Sequence, residues 1–282
     1  MMQRVRSKDG TAIAYELSGN GPALIVVGGA LSDRSAVTPQ AAVLAPGFTV
    51  MAYDRRGRGD SGDTGPYAVE REIEDIDALI RAVGGPAFVL GHSSGAVLAL
   101  EAAAAGLAIR RLAGYEPPFI VDDGRSPLGE DYAARLGNLI STGRYAQAVE
   151  YFLTEAVQVP AEMVEQIHSS PMWPAMEKAA PTILYDFQVM GGNMAGKPLP
   201  ARRWASVHQP TLVMAGGASP AWIRHGAQAL AAILPNAWYR TLEGQQHGAD
   251  PAVFAPVLVE FFKEGHGAEQ EFEVAGEHAH GS

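Results

Sequence analysis

The chain has 282 residues, 47% of them hydrophobic and none of them cysteine, so it can bury a large core but offers no disulfide, thiolate nucleophile or cysteine-ligated metal site. Its 21 basic and 31 acidic residues give a formal net charge of −10. A field of this sign repels phosphate backbones and anionic lipid, which disfavours nucleic acid and membrane surfaces as partners. The N-terminal residues are charged and lack the apolar stretch of a signal peptide, so the expected location is cytoplasmic.

Short apolar runs alternate with helical patterns along the chain. The predicted strands are Ala12–Ser18, Ala23–Val27, Thr49–Tyr53, Ala87–Leu90, Arg111–Tyr115, Thr211–Met214 and Trp238–Leu242. The predicted helices are Tyr67–Val83, Ala96–Ala105, Ala221–Ile233 and Ala252–Phe262. Continuous apolar strands separated by helices of this length are typical of parallel βαβ units with both faces covered. The sequence therefore predicts a doubly wound, mostly parallel α/β sheet.

A long insertion, residues 119–207, interrupts this alternation with a helical, aromatic-rich pattern that contains no strand-like run. We expect it to form a helical cap over the carboxyl ends of the strands, with residues 1–118 and 208–264 as the sheet domain. Most of its aromatic residues are expected in a core of its own, and three of them are predicted to contact substrate: Phe119, Trp173 and Tyr185. Residues 265–282 have almost no large apolar side chains, so they are predicted to be disordered.

The strongest chemical signal is Gly91-His92-Ser93-Ser94-Gly95, which follows a predicted strand and opens a predicted helix. In that context the G-x-S-x-G pattern forms a tight turn that holds the serine hydroxyl out at the edge of the sheet. Ser93 is therefore the predicted nucleophile, and a glycine-rich turn without catalytic meaning is the alternative. His92 is predicted to serve packing.

With this motif the chain resembles the α/β-hydrolase superfamily over essentially all of Gly10–Phe262. The segment Asp54-Arg55-Arg56-Gly57-Arg58-Gly59-Asp60-Ser61 is similar to the D-x-R-G-x-G-x-S loop of that family, which is structural in most members. The resemblance implies an α/β-hydrolase fold with a helical cap and an esterase-like or lipase-like serine hydrolase. It implies no metal and no organic cofactor.

The resemblance also places a catalytic histidine in the loop after the last strand, where His247 stands. The chain order of serine before histidine fits this fold. The acid departs from the family pattern, because Ser219 occupies the position of the usual aspartate. We interpret Ser219 and Pro220 as the start of the next helix.

Glu116 is the candidate acid, because it ends the strand next to that of the nucleophile and the carboxyl ends of parallel strands collect catalytic groups. Some α/β hydrolases, haloalkane dehalogenases among them, take their acid from this strand. Asp250 and Glu243 remain alternatives, and so does a rim glutamate without a role.

Two backbone amides are needed where negative charge develops on the substrate. One is the amide of Ser94, and the resemblance assigns the other to Ala30, with Gly29 beside it as a substrate contact. The prediction is a serine hydrolase that cleaves a carboxylic ester or lactone of an apolar small molecule through an acyl-enzyme. C–C hydrolase, perhydrolase or cyclase chemistry on the same residues remains an alternative, as does a non-catalytic small-molecule receptor.

Overall fold

The computed structural model describes residues 1–264, which contain one sheet of eight strands. The strands are β1 (Gln3–Arg6), β2 (Ala12–Ser18), β3 (Ala23–Val27), β4 (Thr49–Tyr53), β5 (Ala87–His92), β6 (Ile109–Tyr115), β7 (Thr211–Gly216) and β8 (Ala237–Leu242). Their order across the sheet is β1-β2-β4-β3-β5-β6-β7-β8. Strand β2 pairs antiparallel with β1 and β4, and the other pairings are parallel. The predicted mostly parallel α/β sheet is confirmed.

Helices cover both faces of the sheet. In chain order, the α-helices of the described residues are α1 (Thr38–Leu44), α2 (Val69–Ala82), α3 (Ser94–Ala104), α4 (Tyr132–Ser141), α5 (Tyr145–Tyr151), α6 (Ala161–His168), α7 (Trp173–Ala179), α8 (Ile183–Met190), α9 (Ala221–Ile233) and α10 (Pro251–Val259). Helices α2, α3 and α9 share one hydrophobic cluster with the sheet, and α1 and α10 share another. Because the central strands are buried on both faces, their sequences are almost continuously apolar.

The register of the central strands assembles one edge of the sheet. Val27 pairs with Gly91, His92 with Tyr115, and Tyr115 with Met214. The loops that follow β3, β5, β6 and β7 therefore begin side by side, which is where an open α/β sheet gathers its functional groups.

Helices α4 to α8 lie between β6 and β7 and contain a hydrophobic cluster of their own, which includes Tyr132, Leu136, Val149 and Ile183. Both ends of the insertion pack elsewhere, because Phe119, Trp204 and Val207 belong to the core of the sheet. The division into a cap of residues 119–207 and a core of residues 1–118 and 208–264 stays a prediction, and its boundary residues pack as part of the core.

Within residues 1–264 no helix is both long enough and apolar enough to cross a membrane. The cytoplasmic location stays a prediction. The segment predicted to be disordered, residues 265–282, lies outside the described part of the chain.

Candidate active site

Ser93 stands alone between β5 and α3 in a strained backbone conformation, with φ of 56° and ψ of −127°. The turn is so close that a Cβ atom at Gly91 would lie 2.4 Å from the Ala96 Cα, and one at Gly95 would lie 2.3 Å from the Val27 carbonyl oxygen. Only glycine fits at these two positions. Positive φ costs a serine on the order of 1–3 kcal/mol, a strain that recurs at functional turns.

Glu116 and His247 meet at the edge of the sheet. Glu116 follows β6, is completely buried, and places Oε2 2.7 Å from His247 Nδ1. Its other oxygen accepts hydrogen bonds from the Gly216 amide at 2.8 Å and the Ser219 hydroxyl at 2.5 Å. Burial by itself raises the pKa of the Glu116 carboxyl, but the hydrogen bonds from His247, Ser219 and Gly216 outweigh it and lower the pKa below its ordinary value. A charged Glu116 keeps the proton on Nδ1 and leaves Nε2 free to accept one.

The structure corrects the interpretation of Ser219. Helix α9 begins at Ala221, its N-cap is Pro220, and the cap makes no side-chain hydrogen bond. The Ser219 hydroxyl donates instead to Glu116. A buried carboxylate without donors is more costly than an uncapped helix end, so the hydroxyl goes to the carboxylate. The residue at the position of the usual family acid, Ser219, thus donates a hydrogen bond to the candidate acid, Glu116.

Two side chains hold the loop that carries His247. The His92 Nε2 lies 2.9 Å from the His247 carbonyl oxygen, and because a carbonyl only accepts, this nitrogen carries a hydrogen and donates. The Tyr115 hydroxyl donates to the Gln246 carbonyl at 2.5 Å. Burial, together with the neighbouring His247, lowers the pKa of His92 to about 4, so its ring is neutral. The prediction that His92 serves packing is incomplete, because His92 also anchors the loop that carries His247.

Two backbone amides without a protein acceptor in the described part of the chain belong to residues that line the Ser93 cavity. Ala30 and Ser94 line the same cavity as Ser93, and within residues 1–264 neither amide donates to a protein acceptor. Ser94 is the first residue of α3, so its N–H has no partner within the helix. Gly29 lets the loop approach, because a Cβ atom there would lie 2.9 Å from the Ser93 Cβ. Both residues that are predicted to supply the oxyanion donors therefore line the cavity that contains Ser93, and their role stays a prediction.

Beneath these amides lies a cluster of four buried charges, Arg55, Arg58, Glu72 and Asp186. Arg55 donates twice to Glu72, at 2.7 and 2.6 Å, and once to Asp186, at 2.6 Å. Arg58 donates to the second oxygen of Asp186, also at 2.6 Å. Burial alone raises the pKa of Asp186, but Arg58 and Arg55 hold the pKa below its ordinary value. Two guanidinium groups and two carboxylates balance, so the cluster is neutral.

Two cavities meet at Ser93, and both are also lined by Ala30, Phe152, Val157 and His247. The first, of about 190 Å³, is walled by the helical insertion and the start of α9 through Leu128, Tyr132, Ile183, Phe187, Met190, Trp222 and Ile223. The second, of about 470 Å³, extends toward α1 and α10 along Val26, Val37, Gln40, Leu90, Met176 and Phe254. Neither lining includes a lysine or arginine from the described residues.

The structure places one of the four predicted substrate contacts at a cavity, namely Gly29. Phe119 is buried in the sheet core, with its ring 5.4 Å from that of Trp204. Trp173 belongs to the core of the insertion. Tyr185 stacks on Tyr67 at 3.8 Å and donates to Asp63. Neither cavity lining includes these three aromatic residues, and each ring packs against other side chains, so their contact with substrate stays a prediction.

The residues that line the insertion side of the site follow a pattern that was available in the sequence. Ile183, Asp186, Phe187 and Met190 lie three and four positions apart in α8, so they share one helix face, and all four line the first cavity. Tyr185 lies off this face. Helical spacing inside the insertion was the missed signal.

Within residues 1–264 no hydrogen bond joins the Ser93 hydroxyl to His247, whose only side-chain bond in this region is that to Glu116. Both side chains line both cavities. Hydrogen bonds between catalytic groups are often long in free enzymes and shorten when substrate binds.

Comparison with known proteins identifies the family. The profile of the "Alpha/beta hydrolase family" matches residues 23–257. A solved alpha/beta hydrolase from Sphaerobacter thermophilus DSM 20745 is 60% identical, covers 92% of this chain and 100% of its own, and has a TM-score of 0.88. A solved hydrolase from Pseudomonas aeruginosa PA01 is 24% identical, covers 93% of this chain and 98% of its own, and shares the fold with a TM-score of 0.69.

Curated relatives match over a shorter region. The uncharacterized hydrolase YraK of Bacillus subtilis (strain 168) is 36% identical over 96 residues, which are 33% of this chain and 35% of that protein. The match spans about a third of the length of the first curated relatives. Since the family profile covers most of the chain, this protein belongs to the alpha/beta hydrolase family.

Proposed function

We propose that the protein is a carboxylic ester hydrolase whose catalytic triad is Ser93, His247 and Glu116. The observation that carries the proposal is the 2.7 Å contact between Glu116 and His247 Nδ1, at a cavity that also holds the strained Ser93. This contact fixes the tautomer in which Nε2 can take a proton from a serine hydroxyl. A hydrolase fold without a base in this state would have no means of activating Ser93.

The proposed reaction has two stages. The Ser93 oxygen bonds to the ester carbonyl carbon while its proton passes to His247 Nε2, and the Ala30 and Ser94 amides hold the resulting oxyanion. Collapse breaks the bond to the alcohol oxygen, which takes the proton from His247 and leaves an acyl group on Ser93. Water then loses a proton to His247 and attacks the acyl carbon. Release of the carboxylic acid returns the proton to Ser93.

The lining of the cavities supports a neutral, apolar ester or lactone as substrate. Apolar side chains form most of both walls, and the two carboxylates that line the first cavity, Glu116 and Asp186, already have partners within the protein. Asp186 binds two arginines and Ser94, while Glu116 binds Ser219, Gly216 and His247. A carboxylate on the substrate would enter these cavities without a cationic partner, which is costly in an apolar pocket.

A fluorophosphonate probe tests the nucleophile, with Ser93→Ala as the matched control. We expect one equivalent of label on Ser93 in the wild type and none in the variant. On a short p-nitrophenyl ester, Ser93→Ala should lower kcat by about 10⁶, because the triad acts as a unit. Unchanged hydrolysis in Ser93→Ala would show that Ser93 is not the nucleophile.

A panel of esters and lactones distinguishes the alternatives. Labelling without turnover of any ester or lactone would favour C–C hydrolase, perhydrolase or cyclase chemistry on the same serine. No labelling of a folded wild-type protein would favour a small-molecule receptor.

A further inference from the structure

The peptide group between Gly29 and Ala30 is fixed by two hydrogen bonds to its carbonyl oxygen. Its carbonyl oxygen accepts a hydrogen bond from Arg58 Nη1 at 2.6 Å and another from the Ser32 hydroxyl at 2.7 Å. A trans peptide is planar, and its C=O and N–H point in opposite directions. Fixing the Gly29 oxygen therefore fixes the direction of the Ala30 N–H, the amide assigned above to the oxyanion.

The charge on Arg58 adds a second effect. A cation bonded to a carbonyl oxygen draws electron density through the peptide group, so the N–H on its other side becomes a stronger donor. Arg58 is only 3% exposed, so its interaction with the Gly29 carbonyl oxygen is weakly screened by solvent.

Arg58 is in turn fixed by the helical insertion. Its Nη2 donates to Asp186 at 2.6 Å and its Nε to Thr182 at 2.9 Å. The other oxygen of Asp186 accepts from the Ser94 hydroxyl at 2.7 Å. The Asp186 carboxylate thus bears on both residues assigned as oxyanion donors. It binds Arg58, which holds the peptide of Ala30, and it binds the side chain of Ser94 directly.

We propose that Arg58, together with Ser32, is a positioning residue that orients and polarises the Ala30 amide toward the oxyanion, and that Asp186 links this support to the helical insertion. The inference rests on the proposed function. It assigns a role to an arginine that the resemblance to the family treated as part of a structural turn.

The neighbouring Arg56 provides a matched control. It is as deeply buried as Arg58 and stands in the same loop, but it donates to Asp75, Asp9 and the Arg71 carbonyl. None of these groups touches the Gly29–Ala30 peptide. Arg56→Lys should therefore lower thermal stability and leave kcat at the wild-type value.

The test compares Arg58→Lys, Ser32→Ala and Arg56→Lys in the full-length protein. Lysine keeps the charge but cannot make the three directed contacts of the guanidinium. The readouts are kcat and KM on a short ester, and the affinities of a trifluoromethyl ketone and of the methyl ketone with the same chain. The trifluoromethyl ketone adds to an active serine and forms an oxyanion, whereas the methyl ketone binds without forming one.

We expect Arg58→Lys to lower kcat and the trifluoromethyl ketone affinity together by about 10- to 100-fold, less than the loss of a whole oxyanion donor. KM and the methyl ketone affinity should stay within about threefold, because the ground state has no charge for the amide to stabilise. Ser32→Ala should show the same pattern with a loss of about 3- to 10-fold.

Several results would overturn the inference. Equal losses for the two ketones would reduce Arg58 to a structural residue, and so would a wild-type kcat in folded Arg58→Lys. If Arg58→Lys does not fold, Ser32→Ala decides, and an unchanged kcat there rejects the proposal. A wild-type protein without ester hydrolysis rejects the proposed function itself, which separates that failure from one confined to the variants.

Discussion

Two buried carboxylates line the same cavity as Ser93, and these two, Glu116 and Asp186, make an informative comparison. Both are almost fully buried, and neighbouring groups hold the pKa of each below its ordinary value. Their partners differ in kind. Glu116 is surrounded by the neutral donors Ser219 and Gly216 and by a titratable histidine, whereas Asp186 lies between two arginines that are always charged.

Under the proposed function, this difference separates a charge that takes part in the reaction from a charge that stabilises the fold. In the proposed mechanism the charge of Glu116 is balanced when His247 takes the proton of Ser93. The Asp186 cluster, with Glu72, Arg55 and Arg58, is balanced at all times. Changes at Glu116 should therefore lower kcat and leave the fold intact, whereas changes at Asp186 should lower stability as well as kcat.

The largest expected effect is that of Glu116→Gln, which should lower kcat by about 10² to 10⁴. The amide would donate to His247 Nδ1 and force the proton onto Nε2, which can then no longer accept one from Ser93. Its oxygen can still accept from Ser219, so the protein should remain folded. Steady-state kinetics with circular dichroism as the folding control measures both.

Adding Ser219→Asp to Glu116→Gln sharpens this test. The Ser219 hydroxyl already lies beside Glu116, so a carboxylate at position 219 can replace the lost charge, and we expect partial recovery of kcat. In the wild-type background the same substitution places two carboxylates together and should lower activity. A near-normal kcat in Glu116→Gln alone would move the acid to Asp250 or Glu243.

Asp186→Asn should lower stability as well as kcat, with a loss of about 3–5 kcal/mol in the free energy of unfolding. The variant leaves two buried guanidinium groups with the single carboxylate of Glu72. Urea unfolding monitored by fluorescence measures the loss. Replacing the pair together, by Arg58→Met with Asp186→Leu, should restore much of the stability without restoring kcat. A wild-type free energy of unfolding in Asp186→Asn would show that the charge of Asp186 does not stabilise the fold.

Ser219→Ala should produce a smaller change on the Glu116 side. Removing a hydrogen bond to a buried charged group costs about 1.5–3 kcal/mol, and kcat should fall by no more than about tenfold because two other partners still hold the carboxylate. Ser206→Ala is the control, since exposed Ser206 donates only to a backbone carbonyl, and its loss should stay below about 0.5 kcal/mol. Equal urea midpoints for the two variants would contradict the support role of Ser219.

The smallest expected effect concerns His92. Its pKa falls from 6.5 in the ordinary state to about 4 in the folded protein, so between these values the unfolded chain binds a proton that the folded chain does not. Stability should therefore fall as the pH drops from 6.5 toward 4, by about 1–2 kcal/mol for a partly exposed ring. Unfolding curves at pH 7 and pH 4.5 test this. The difference in stability between pH 7 and pH 4.5 should be smaller in His92→Gln than in the wild type, and an equal difference would reject a lowered pKa for His92.

Most of the sheet was predictable from apolar periodicity. The predicted strands Ala23–Val27 and Thr49–Tyr53 have the observed bounds, because runs covered on both faces have to be apolar from end to end. Ala12–Ser18 also has the observed bounds, although its second half is exposed. Strand β1 was missed, since its sequence Gln-Arg-Val-Arg has no such run and it lies at the sheet edge. Helix α1 was missed as well, because seven residues give little periodicity.

The site predictions show a similar contrast between residues placed by local sequence patterns and residues placed by packing. Ser93, Glu116 and His247 are positioned by local turns at the ends of strands, and parallel strands bring such ends to one edge of the sheet. The prediction of Phe119, Trp173 and Tyr185 as substrate contacts rests on residue type alone, and in the structure each ring packs against other side chains. Aromatic content does not tell which face of a helix meets a cavity.

The sequence by itself determined the sheet, the strained serine turn and the need for an acid other than residue 219. These depend on backbone geometry and on charges that must be present somewhere. Only the tertiary structure decided that Ser219 donates to Glu116, that Asp186 is neutralised by Arg55 and Arg58, and that Arg58 holds the Gly29–Ala30 peptide. The partner of a buried charge is set by packing between segments that are distant in sequence, and no local pattern encodes that choice.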